Sequence, residues 1–110
     1  ILAAVAIPKF IDLSTEANAA ALDGVEGSLT SAMAINYAGC AALNNTPTAN
    51  KCVAVDDCGD VASLLTGGVP AGYSVTAGAI AAPNGTTAAC VVVQSAGPTN
   101  GAFTGIRAGM

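Results

Sequence analysis

Four cysteines and a cluster of three aspartates are the residues of this chain best suited to chemistry. Cys40, Cys52, Cys58 and Cys90 have 11, 5 and 31 residues between them. No pair forms the C-x-x-C pattern of a redox dithiol. An even set in a small chain reads as two disulfides formed in an oxidising compartment. A metal held by all four thiolates and a set of buried free thiols are the competing readings. Spacing alone leaves all three connectivities open. Asp56, Asp57 and Asp60 fall within five residues of one another. With backbone carbonyls they could hold Ca²⁺, although the spacing is not that of an EF-hand. Solvated acids plus the N-cap of a short helix, at its positive end, are the favoured reading.

Other side chains carry weaker signals. Asp12 and Glu16 are spaced i, i+4, and Lys9 stands three residues before Asp12. A Lys9–Asp12 pair on an exposed helix contributes only a few tenths of a kcal/mol. Paired carboxylates also hydrolyse glycosides. Nothing in the sequence builds a cleft for them, so no enzyme is expected. The aromatics Phe10, Tyr37, Tyr73 and Phe103 are dispersed, and read as core and interface residues rather than an electron path. Asn44-Asn45-Thr46 and Asn84-Gly85-Thr86 match the N-glycosylation pattern, but both also read as turns.

Composition removes whole classes. Histidine is absent, which excludes His-based triads and His-ligated zinc. Lys9, Lys51 and Arg107 are the only cations and the net charge is −4, which argues against phosphate-driven nucleic-acid binding and against a polybasic membrane patch. No cofactor is expected. Charged residues are 9% against 53% hydrophobic, and most of the apolar mass is Ala and Val. A core of such small side chains gains from cross-links or neighbouring subunits.

The elements that must position these residues follow from pattern. Residues 1–43 read as one long helix, rich in alanine. Leu22, Val25, Leu29, Met33 and Ile35-Asn36-Tyr37 recur at three-to-four-residue steps on its apolar face. Such a helix is about 65 Å long, more than a small domain is wide, so its greasy N-terminal part should project. Pro8 should kink or unwind residues 4–8. Gly24 and Gly27 weaken the helix but permit close approach, either within the monomer or by another helix. The turn residues 44–50, with Pro47, should end it. A short helix is expected over 60–65, capped by Asp57 or Cys58 and stopped at Gly67-Gly68. Strands are expected over 73–80, 88–94 and 102–107, with a hairpin turn at Pro83-Asn84-Gly85-Thr86 and another turn over 95–101. This antiparallel meander must bury one face, and the second half of the long helix is the only large partner.

The first residues are the most apolar. ILAAVAI runs straight into Pro8, without an initiator Met. Seven residues cannot cross a bilayer, which takes about 20, but the tail of a longer segment could.

The run ILAAVAIPKFIDLSTEANAAALDGVEGSLTSAMAINYA resembles the N-terminal helix of bacterial type IV pilins, just after its most hydrophobic portion. The segment CGDVASLLTGGVPAGYSV, the later Cys90 and the closing AFTGI resemble the C-terminal sheet of one group of such pilins. The resemblance covers nearly the whole chain. It implies an α+β fold, with a long helical spine packed on a small three-stranded antiparallel sheet. Residues 1–43 would be the spine, with 1–22 projecting and 23–43 packed, and residues 44–110 the head. It implies a disulfide between Cys58 and Cys90, and with it Cys40–Cys52. It also implies a subunit held in the inner membrane, cleaved by a prepilin peptidase and polymerised with identical copies by a pilus assembly machinery. The product is an extracellular helical fibre of the kind used in adhesion and twitching motility. Ile1, Leu2, Val5, Ile7, Pro8, Phe10, Ile11 and Leu13 would form the filament interface, with a melted stretch near Pro8. The cleavage motif, the methylated first residue and the registering glutamate of the family do not occur in this sequence and are expected upstream of Ile1. A type II secretion pseudopilin is the alternative within the class. A secreted monomeric module binding calcium or a ligand is the alternative outside it.

Overall fold

The computed structural model describes residues 13–97 and 99–110. The expected kink near Pro8 and the Lys9–Asp12 pair lie outside them. Helix α1 runs Ser14–Ala42. Alanine favours it, but its position is set by one narrow stripe: Leu22, Leu29, Met33, Asn36 and Cys40 are its buried residues. These recur at three, four or seven residues, so they stack along one line of the cylinder. Ile35 was expected on this stripe and is instead 73% exposed. It sits one residue, about a quarter turn, away from the Asn36 position that the core selects. The packed stripe also starts at Leu22 itself rather than after it.

Two asparagines end the helix. Asn44 and Asn45 adopt φ of 53° and 54°, and the Asn45 N–H donates to the Cys40 carbonyl at 2.7 Å. Asparagine tolerates this left-handed backbone, and the bond satisfies a carbonyl the helix would leave open. The chain then returns along the helix and is stapled to it by the Cys40–Cys52 disulfide.

The short helix is a 3-10 helix over Cys58–Leu64, two residues earlier than expected and tighter. Asp57 and Asp60 form a reciprocal capping box, which sets the earlier start. Extended backbone at Leu65 ends it, ahead of Gly67 and Gly68 with φ near +80°.

Three strands follow, β1 (Tyr73–Val75), β2 (Thr87–Gln94) and β3 (Thr99–Ile106), in spatial order β1-β2-β3 and antiparallel throughout. The architecture is α+β, as expected. The first strand is much shorter than its sequence pattern. Tyr73 to Val75 pair with Gln94 to Val92, but the rest of the run peels away towards the 56–58 segment. There the Ile80 N–H donates to the Asp56 carbonyl and the Cys58 N–H to the Gly78 carbonyl, both at 2.8 Å. The turn at residues 83–86 is therefore not a β1–β2 hairpin. It leads into β2 and is bonded to the end of β3, with the Gly85 N–H donating to the Arg107 carbonyl at 2.7 Å. The tight hairpin lies instead between Gln94 and Thr99, which pair directly.

The main core gathers Leu29, Met33, Val55, Val61, Ile80, Val92 and Phe103 around the Cys58–Cys90 disulfide. Cys40, Cys52 and Ala108 form a second cluster beneath Tyr37 and Leu43. Of the three connectivities open on spacing, the structure takes the one implied by the resemblance. In the loop-closure model the shorter link contributes about 3 kcal/mol and the longer about 4.

Gly39 is where the returning chain lies closest to the helix. A Cβ there would overlap the carbonyl oxygen of Lys51. Gly39→Ala should therefore lower unfolding stability by about 1–3 kcal/mol, read as a shifted urea midpoint at unchanged slope.

Candidate functional site

In the aspartate cluster, the weaker calcium candidate of the sequence, one oxygen each of Asp57 and Asp60 is committed to the backbone. Asp60 Oδ2 accepts from the N–H groups of Asp56 and Asp57 at 3.0 and 3.1 Å. Asp57 Oδ1 accepts from Gly59 at 2.8 Å and Gly78 at 3.3 Å. The two carboxylates close the start of the 3-10 helix and tie it to the segment that peeled away from β1. Asp56 points to solvent. Among the described residues, no group of three His, Cys, Asp or Glu is arranged to hold a metal.

Asparagine side chains do the joining elsewhere. Asn36 is 7% exposed. Its Nδ2 donates to the Val53 carbonyl and its Oδ1 accepts from the Val53 N–H, each at 2.9 Å. The amide thus pairs with the returning chain as a neighbouring strand would. Asn45 Oδ1 accepts from the Gly109 N–H at 3.1 Å. Asn84 makes two bonds to Met110, donating to its carbonyl at 2.9 Å and accepting from its N–H at 3.2 Å. Of the two glycosylation-pattern asparagines, Asn44 is exposed, whereas the Asn84 nitrogen is already donating. None of these roles was read from the sequence. The signal for Asn36 was a polar residue on an apolar stripe.

Clefts open on the surface of the described residues. One, about 880 Å³, lies beside α1 and includes Gly24, Gly27, Ser31 and Ile35 opposite Lys51 and Leu64. A Cβ at Gly24 or Gly27 would meet nothing within 4 Å, so these glycines serve no packing among the described residues. With Lys51 as its one ionisable group, the lining offers a shallow bed of small side chains and hydroxyls rather than a nucleophile with a base. A second cleft, about 490 Å³, lies between α1 and the β2–β3 turn and mixes Ala19, Leu22 and Ala96 with Asp23, Glu26, Gln94 and Asn100. Gln94 Nε2 spans its floor, donating to the Asn18 carbonyl at 2.9 Å and to the Tyr73 hydroxyl at 2.8 Å.

The apolar candidates fall at the other end. Leu13 is 59% exposed. Ile1, Leu2, Val5, Ile7, Pro8, Phe10 and Ile11 lie outside the described residues. From Leu13 to Ala21 every residue is exposed except Asn18, which is half-buried. This stretch of helix is therefore little covered by the head, Asn18 being its half-buried residue. No helix among the described residues is long and apolar enough to cross a membrane. Comparison with family models, curated proteins and solved structures finds no match.

Asp57→Ala should cost about 1 kcal/mol by loss of the cap. The loss should be the same with and without millimolar calcium in thermal melts, because the carboxylate serves the backbone rather than an ion.

Proposed function

We propose that this chain is a structural subunit of the type IV pilin class, which polymerises into a helical extracellular fibre through its N-terminal helix. The observation that carries this reading is the helix that outruns its own head. Its buried stripe begins only at Leu22, while residues 13–21 are almost wholly exposed and lead directly back into the most apolar segment of the sequence. A projecting helix with an apolar end lowers its free energy by packing against copies of itself.

Ile1, Leu2, Val5, Ile7, Phe10, Ile11 and Leu13 are the side chains that such packing would remove from water or lipid. Their burial supplies on the order of 10 kcal/mol per subunit before association costs. The contact is heterologous, one surface against a different one, so repetition gives an open helix rather than a closed ring. Before assembly the same segment would sit in the inner membrane as the tail of a longer span. Exposed Ile35, with Gly24 and Gly27 open beside it, offers a second face on which a neighbouring copy could lie close. The disulfides fit a head that functions outside the cell.

Ile7→Asp or Phe10→Asp should abolish fibres, seen by electron microscopy of surface material, while the urea midpoint of the head stays unchanged. Abundant fibres of normal length from either variant would overturn the assembly mechanism.

A further inference from the structure

Asn84 and Gly85 form the turn that leads into β2, and the same turn holds residues 107 and 110. Asn84 grips Met110 with both atoms of its amide. The Gly85 N–H is bonded to the Arg107 carbonyl at 2.7 Å. Gly85 has φ of 91°, and a Cβ there would come within 2.9 Å of the Tyr37 hydroxyl. Glycine is required at this position both by the backbone and by the ring beneath it. An asparagine followed by glycine is also chemically labile, because no side chain shields the following nitrogen from the asparagine carbonyl carbon.

We propose that Asn84–Gly85 is a self-modification site, held dormant by a latch of bonds to residues 107–110 and released when that latch opens. The reactants are the chain itself and water. The Gly85 nitrogen attacks Asn84 Cγ, a new C–N bond forms, and the Cγ–Nδ2 bond breaks. Nδ2 leaves as ammonia, carrying away the proton that the Gly85 nitrogen loses. Water then opens the cyclic imide at either carbonyl, giving aspartate or isoaspartate.

In the folded head both partners in the first step are engaged. The nucleophile's N–H is held by Arg107, and the leaving amide is held by Met110. Attack therefore requires local opening, and its rate follows the population of the open form. The product restores only half of the latch. A carboxylate at position 84 still accepts the Met110 N–H, but it has no hydrogen to give the Met110 carbonyl and places negative charge against it. Release of residues 108–110 would uncover Ala108, which is fully buried over Cys40 and Cys52 and is bonded on both sides to Val55 at 2.8 and 3.1 Å. The site thus converts a transient opening of the head into a permanent one.

The chain contains its own control. Asn100-Gly101 is a second such pair, but it lies within β3, where Asn100 faces Val93 and Gly101 faces Val92 in the ladder. Asn45→Gly removes the acceptor for Gly109 while keeping a residue that tolerates the φ of 54°. The full chain, this variant and the native chain unfolded in urea with disulfides intact are incubated at mildly alkaline pH, and isoaspartate at positions 84 and 100 is followed by peptide mapping. At position 84 the native chain should convert at least about tenfold more slowly than the unfolded one, as for any group gated by a rare opening. Asn45→Gly should accelerate position 84 several-fold and leave position 100 unchanged. Equal native and unfolded rates at position 84, no acceleration in Asn45→Gly, or equal acceleration at both positions would each overturn the proposal. Asn84→Asp should in addition speed amide exchange at Gly109 and Met110, and protection equal to that of the native chain would refute the latch.

Discussion

The structure depends on how little the long helix can bury. Five side chains of α1 are covered, and Leu29 and Met33 are the two large ones with no exposure at all. One helix over one three-stranded sheet encloses a single thin layer. Everything else must come close to that layer, and the residues at the contacts are small for that reason. A Cβ on Gly105 would stand 2.7 Å from Cys90 Sγ and 2.8 Å from Ile80 Cδ1, so β3 carries no side chain where the disulfide and Ile80 fill the space. The cross-links follow from the same shortage. Small cores of Ala and Val cannot offset the chain entropy of long loops unaided, and both disulfides close loops that join the helix or the 3-10 turn to distant chain.

Hydrogen bonds complete the work where apolar area runs out. No buried side-chain polar atom among the described residues lacks a partner. Several of those partners are backbone groups of segments with no regular structure of their own. Asn36 fastens the return after the helix, Asp57 and Asp60 fasten the 3-10 turn, and Asn45 and Asn84 fasten the chain end. The head is thus a helix–sheet layer with irregular chain tied to its rim by amides and carboxylates. Thr30 does the same for the sheet, its hydroxyl accepting the Thr104 N–H of β3 at 3.2 Å, which covers a strand edge that would otherwise be open.

The features legible in the sequence are those that arise locally. Alanine content and the Leu22–Leu29–Met33 spacing mark the helix, Asn44 and Asn45 mark its end, and the Val91–Val93 run marks β2, whereas β3 begins at Thr99, inside the Gly- and Asn-rich stretch expected as a turn. The misread positions are those where a distant segment competes. The run from Tyr73 to Ile80 was expected as one strand, but beyond Thr76, whose N–H still donates to the Val91 carbonyl, Gly78 and Ile80 bond to Cys58 and Asp56 instead of β2, and no local pattern carries that information. Ile35 and Asn36 exchange roles for a comparable reason. Hydrophobicity favours Ile35 inside, yet burying Asn36 satisfies both polar groups of Val53, and an unpaired backbone pair at that depth would cost more than one exposed isoleucine. The aspartate triad was legible as a cap because a capping box is itself a local motif.

The candidate assembly site is legible in a different way, through what the head does not use. A monomer that needed its whole helix would spread the apolar stripe along its length. Among the described residues the stripe is confined to the stretch from Leu22 to Cys40, and the helix below it is a run of Ser, Thr, Glu, Asn and Ala, exposed except at half-buried Asn18. Asn18 ties this run to the head through the bond from Gln94, and the exposed remainder buries no large apolar side chain there. In the proposed fibre the run would act as a spacer. A spacer of this kind would let the apolar segments of many copies meet on one axis while their heads remain outside it. A head seated directly on the apolar segment would block the second copy from reaching the first. On the proposed reading, the exposure of most of residues 14–21 is the feature that would make a thin, cross-linked head compatible with open-ended packing of the apolar segment.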